Sequence, residues 1–166
     1  MIFIPAIELQ DEATPLHWSL SFFEGKLLLP ETPDEVLGPQ PAQAVPPPGQ
    51  ARHYLGRLNG LDCWVQQVPE APAGWRAVPL RSAMMNLPTV LGGLAGRAAQ
   101  VLEWDRSHRF CGACGTPTEH QRSERARRCP ACGLTAYPRI SPAMMALVWR
   151  PGELLLARAP HFVNQM

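Results

Sequence analysis

Four of the five cysteines in this 166-residue chain fall in two CxxC pairs, Cys111/Cys114 and Cys129/Cys132, with fourteen residues between the inner two. A two-residue spacer lets both sulfurs of a pair reach one ion from a single tight turn. Two such turns facing each other supply four thiolates in a tetrahedron. Gly112, Gly115 and Gly133 offer the left-handed or close-approach backbone these turns need. The spacing predicts a zinc ribbon over residues 109–137 with one bound Zn²⁺; a redox dithiol or two disulfides are the alternatives. Four thiolates leave no coordination position for water or substrate, so this zinc is expected to be structural. Binding deprotonates the thiols and contributes on the order of 10 kcal/mol to folding a module too small for a core of its own.

The other chemistry-bearing residues read more plainly. Cys63, inside the apolar run "LDCWVQQV", is expected to be a buried small hydrophobe. His108 is expected to end a helix, and His17, His53, His120 and His161 are scattered without a partner pattern. Residues 106–128 carry Arg106, Arg109, Arg122, Arg125, Arg127 and Arg128 against Glu119 and Glu124, a local charge of +4. A basic hairpin can bind phosphates. No aromatic residues interleave with these arginines as they do in single-strand binders, so a solvated hairpin arm is expected.

These residues need elements to hold them. "LHWSLSFFEGKLLLP" gives two short apolar runs around Glu24-Gly25, and "HYLGRLNGLDCWVQQV" gives two more around Asn59-Gly60. Asn-Gly between such runs predicts a hairpin. The proline-rich segment 37–50 suits a loop. From Leu87 the period changes: Leu91, Leu94, Ala95, Ala98, Val101 and Leu102 recur at three- and four-residue intervals. This predicts one amphipathic helix over 88–105, with Gly92, Gly93 and Gly96 expected to let it pack closely on a sheet. "SPAMMALVWRPGELLLARA" reads as strand, Pro151-Gly152 turn, strand. The fold class is α+β, organised as a β-rich domain 1–86, a connecting helix 87–108, the ribbon 109–137 and a further segment 138–166.

Bulk properties narrow the partners. A formal net charge of +1 argues against bulk nucleic acid or an anionic membrane as the dominant partner. No apolar run reaches the length of a spanning helix. The start, "MIFIPAIELQDE", lacks a basic n-region and does not read as a secretory signal. Cysteines placed for a metal suit a reducing compartment, and a cytoplasmic protein is expected.

"LAGRAAQVLEWDRSHRFCGACGTPT", the second CxxC and "AYPRISPAMMALVWRPGELLLARAPHF" resemble the NADH pyrophosphatase family of Nudix hydrolases. The resemblance is tight around the ribbon and covers most of residues 75–162. It implies a β-rich N-terminal domain, a helix, a zinc ribbon and the opening strands of a Nudix α/β/α sandwich at 138–166. The implied activity is hydrolysis of the NAD(H) pyrophosphate to nicotinamide mononucleotide and AMP, with removal of NAD caps from RNA. It also implies a homodimer and Mg²⁺ or Mn²⁺ to activate water and neutralise phosphate charge. Tyr137, just before Pro138, and Arg76, in "GWRAVPL", match substrate-binding positions of the family. A ring can cover a base or nicotinamide, and a guanidinium can pair with phosphate. Where the family places a basic contact after "LLLP", this chain has Glu31.

The Nudix box, G-x5-E-x7-R-E-x2-E-E-x-G, whose glutamates hold the activating metal, does not occur in these 166 residues. The chain is therefore expected to be a fragment or truncated form, inactive alone, with its metal ligands outside it. A non-enzymatic zinc-ribbon module, binding nucleic acid or dimerising, is the alternative.

Overall fold

The computed structural model describes residues 1–9, 12–32, 37–41 and 52–157. Strands β1 (Phe3–Pro5), β2 (Leu16–Phe23), β3 (Lys26–Pro30), β5 (Arg52–Leu58), β6 (Leu61–Gln67) and β7 (Trp75–Val78) form a sheet in the order β1-β5-β6-β2-β3-β7. A short β4 (Gln40–Pro41) pairs with the start of β2. It lies inside the expected proline-rich loop, most of which falls outside the described residues.

The expected hairpin forms at Asn59-Gly60, and another forms at Glu24-Gly25. Glu24-Gly25 and Asn59-Gly60 have positive φ at both turn residues (48° and 75°, 50° and 80°), the backbone that joins right-twisted strands through two residues. The central pairing is the parallel one between β2 and β6, Trp18 opposite Cys63 through Phe22 opposite Gln67. Local sequence carries no signal for it.

Helix α2 (Thr89–Ser107) covers one face of the sheet. All six residues of its expected apolar stripe are buried, against Leu20, Phe22, Leu55 and Val65 among others. Cys63 is fully buried in the same core, and burial pushes its thiol pKa up to about 12, so it is neither nucleophile nor ligand. The opposite face of the sheet is buried but polar. There Asp62 accepts hydrogen bonds from Thr14, Tyr54 and Arg57, which together outweigh burial and hold its carboxyl below the ordinary pKa.

Three expectations are corrected. Residues 80–86 form a helix, α1 (Leu80–Asn86), in a stretch read as β-rich. Of the α2 glycines, Gly92 and Gly96 pack against this helix and not against the sheet, and Gly93 packs against neither. A Cβ on Gly92 would lie 3.1 Å from the Met84 carbonyl oxygen, and one on Gly96 would lie 3.2 Å from the Met84 methyl. After α2 come three two-residue strands, β8 (Glu119–His120), β9 (Arg127–Arg128) and β10 (Thr135–Ala136), in the order β10-β9-β8. The long strands expected near the end shrink to β11 (Trp149–Arg150) and β12 (Glu153–Leu154) around Pro151-Gly152. Residues 138–148 have no regular structure, and Ile140, Met144 and Met145 are almost wholly exposed. Among the described residues a strand has nothing to pair with or bury against there. No helix among the described residues is long and apolar enough to cross a membrane.

Gly56 forms a bulge in β5 with φ 129°, and a Cβ there would stand 2.1 Å from the Ile4 carbonyl oxygen. Gly56→Ala is expected to cost at least about 2 kcal/mol in urea unfolding. Gly93→Ala, where a Cβ meets open space, is expected to add about 0.5–1 kcal/mol in the same measurement.

Candidate metal centre and the residues that seat it

The four ribbon cysteines sit on two knuckles of the same construction. In the first, the Gly115 amide donates to the Cys111 carbonyl (2.9 Å) and the Cys111 amide to the Thr116 carbonyl (2.8 Å). In the second, Gly133 donates to Cys129 (3.0 Å) and Cys129 to Leu134 (2.9 Å). Gly115 and Gly133 have φ of 74° and 77°, which a residue with a Cβ rarely adopts. Gly112 is not in this region and a Cβ on it would meet nothing, so the expectation for that glycine is corrected.

The knuckles bring all four Sγ atoms within 4.8 Å of one another. Cys111–Cys132, Cys114–Cys129 and Cys114–Cys132 are 3.5, 3.4 and 3.7 Å apart. A tetrahedron with metal–sulfur bonds of about 2.3 Å has sulfurs about 3.8 Å apart, whereas a disulfide needs about 2.05 Å. The donor set therefore fits one tetrahedral, thiophilic ion. The thiols are also poised against one another. Thr116 leads in lowering Cys114 to about 6. The Leu134 amide pulls Cys132 down, but its sulfur neighbours drive it up to about 12. Four thiolates so close need a cation among them.

The ribbon is fastened to the sheet domain through Asp105, buried on the last turn of α2. Arg127 of β9 donates from Nη1 to Asp105 Oδ1, from Nε to the Thr118 hydroxyl (2.9 Å) and from Nη2 to the Thr118 carbonyl (3.0 Å). His120 Nε2 lies 2.9 Å from Asp105 Oδ1 and 2.7 Å from Arg127 Nη1. Protonated, that nitrogen donates to the carboxylate; unprotonated, it accepts from the guanidinium. His53 Nε2 of β5 stands 3.5 Å from Asp105 Oδ2. Burial pushes the Asp105 carboxyl up, but His120 and His53 together outweigh it and hold the group well below the usual carboxylate range. Arg125 makes the second attachment: its Nη2 donates to the Tyr54 carbonyl (2.7 Å) and the Ala6 carbonyl (3.0 Å) where β5 runs past β1.

These contacts overturn two expectations. Arg125 and Arg127 are not part of a solvated arm, because the hairpin folds back onto the sheet. His53 and His120 are not scattered, since they meet at Asp105 from positions far apart in the chain. The acidic residue preceding Arg106 in "EWDRSH" was the available sequence clue. His108 does end α2, and its ring Nδ1 lies 2.8 Å from the Trp104 carbonyl. His161 lies outside the described residues.

Tyr137, half exposed at the ribbon exit, donates its hydroxyl to Glu124 Oε2 (2.9 Å). Arg76 is exposed on β7, its Nε donating to the Pro30 carbonyl (3.3 Å). Tyr137 lines a groove with Arg97, Trp104 and Ile140 that Arg76 does not reach.

Residues 17–104 match the NADH pyrophosphatase-like rudimentary NUDIX domain, and residues 106–137 match the NADH pyrophosphatase zinc ribbon domain. The chain belongs to the NADH pyrophosphatase-like family. The sheet and helix of the N-terminal half are thus the rudimentary NUDIX domain of this family, a kinship its sequence was not read to have. Among similar proteins, the NAD-capped RNA hydrolase NudC of Deinococcus radiodurans is 43% identical over 164 residues, 94% of this chain and 56% of that protein. The protein of the same name from Chromobacterium violaceum is 41% identical over 156 residues, covering 92% and 56%. That of Stutzerimonas stutzeri is 48% identical over 110 residues, covering 65% and 40%. The chain spans about half the length of the curated relatives it matches.

Asp105→Asn leaves the Arg127 guanidinium buried without its counter-charge and is expected to cost about 3 kcal/mol in urea unfolding. The sign of the pH dependence follows from the lowered pKa. The Asp105 contribution is fully present above its unfolded value of about 3.9 and is lost as pH falls below it. The advantage of the wild type over Asp105→Asn should therefore shrink below about pH 4.

Proposed function

We propose that this chain is the N-terminal and zinc-ribbon portion of an NAD(H) pyrophosphatase, which hydrolyses the dinucleotide to nicotinamide mononucleotide and AMP and also removes NAD caps from RNA. One observation carries the reading: the two family domains follow each other without interruption across residues 17–137 and are joined there by a buried ion pair. The names of the similar proteins support it.

Cys111, Cys114, Cys129 and Cys132 hold one Zn²⁺, which shapes the ribbon and supplies no open coordination position. The ribbon then presents Tyr137, whose hydroxyl is anchored by Glu124 while half of its surface stays open to stack on a substrate ring. Arg76, its Nε engaged with Pro30, keeps its terminal nitrogens for a phosphate. Mg²⁺ or Mn²⁺, when bound, would neutralise phosphate charge and activate water. No carboxylate cluster among the described residues suits such an ion. Exposed Met144, Met145, Leu147 and Trp149 suit the opening strands of a larger Nudix sheet. A cytoplasmic homodimer completes the proposal: thiols placed for a metal suit a reducing compartment.

Purified 166-residue chain is expected not to turn over NADH with Mg²⁺ or Mn²⁺, whereas a version extended to its relatives' length should. In the extended protein, Tyr137→Ala and Arg76→Ala should each raise KM for NADH about tenfold. Turnover by the 166-residue chain that these substitutions abolish would overturn the assignment. Elemental analysis should find about one zinc per chain, and Cys129→Ser should remove it with loss of the ribbon fold.

A further inference from the structure

A cleft of about 360 Å³ opens where the ribbon hairpin lies against the start of β5. On its sheet side, the Arg52 guanidinium lies 4.4 Å above the ring of Trp64. On its ribbon side stand Arg122 and Arg125. None of these three arginines pairs with a carboxylate among the described residues. Arg125 is spent in part on two backbone carbonyls, whereas Arg122 is exposed and its guanidinium is uncommitted. Of the carboxylates at the rim, Glu124 is engaged with Tyr137, and Glu8 is the other.

His53 and Trp104 also line the cleft; His53 Nε2 faces Asp105, whereas Trp104 Nε1 is buried without a hydrogen-bond partner. The fold leaves that bonding capacity unused, which is uncommon in a packed interior. An uncompensated cation beside a flat, stacked guanidinium selects a ligand with both a negative group and a planar ring. Bases stack on arginine planes as they do on aromatic rings, and a free guanidinium takes a phosphate through two hydrogen bonds.

We propose that this cleft binds a nucleoside 5′-phosphate unit, its base stacked on Arg52 over Trp64 and its phosphate paired with Arg122. The unit is either a free mononucleotide or one nucleotide of a strand. The proposal does not rest on the pyrophosphatase reading, because it concerns binding without turnover.

The test is titration of the zinc-loaded chain by calorimetry, with AMP, adenosine, inorganic phosphate and 5′-phosphorylated pentaadenylate as probes. AMP should bind at least tenfold more tightly than adenosine or phosphate. Arg122→Ala should weaken AMP about tenfold and leave adenosine unchanged, while Arg52→Ala should weaken both. Both side chains are exposed, so the variants should keep the wild-type thermal midpoint. Pentaadenylate binding more tightly than AMP, and sensitive to the same two substitutions, assigns the site to a strand; equal binding assigns it to free nucleotide. Absence of binding at millimolar AMP and pentaadenylate overturns the proposal. So does binding that neither substitution alters, or phosphate binding as tightly as AMP.

Discussion

A carboxylate in a protein interior is tolerable only where cations and donors surround it, and Asp105 sets that condition for the whole molecule. It sits on the last turn of α2 and is met by Arg127 and His120 from the ribbon and His53 from the sheet. Replacing such a cluster with apolar residues can leave stability unchanged, whereas removing one member strands a buried charge. Its contribution is thus more to geometry than to net stability. An apolar contact tolerates sliding, but a guanidinium bonded to a carboxylate and to both oxygens of Thr118 does not. The ribbon's position relative to the sheet follows from that constraint together with the Arg125 attachment.

The ribbon itself is held at a lower level of the hierarchy. Its strands are two residues long and bury little, so their order depends on the two knuckles and on a cation among the four sulfurs. Once formed, the hairpin also serves the sheet. β1 pairs with the last three residues of β5 and the Ala6 amide takes the Leu55 carbonyl, where the ladder stops. Arg125 takes the Tyr54 carbonyl at this place, satisfying an edge group that could otherwise pair with another chain.

This arrangement explains how a half-length chain can be well packed around its core and still expose apolar side chains after Pro138. The rudimentary NUDIX domain closes its core with α2, and the ribbon closes on α2 through Asp105. Both modules are satisfied before residue 138. The segment beyond has apolar residues with no partner among the described residues, as the near-complete exposure of Met144 and Met145 records. Tyr137 stands at that boundary, anchored through Glu124 to the ordered side.

Much of this was legible in the residues alone, wherever the physics is local. The metal cluster follows from spacing, because a two-residue spacer sets the reach of two sulfurs regardless of the rest of the fold. Both hairpins follow from Glu24-Gly25 and Asn59-Gly60, because a two-residue turn demands positive φ. The buried stripe of α2 follows from its period. What escaped reading was long-range. The β2–β6 pairing joins residues 45 positions apart, and either strand could have chosen another partner by propensity. His53 and His120 carry no mark distinguishing them from solvated histidines until α2 delivers Asp105 between them. Arg125 and Arg127 look like any basic arm until the hairpin folds back. The sequence alone determined which cysteines form the two knuckles and where the chain turns, since those depend on neighbours a few residues away. Only the tertiary structure decided which charges are buried together, because burial belongs to surfaces from distant segments and not to any one of them.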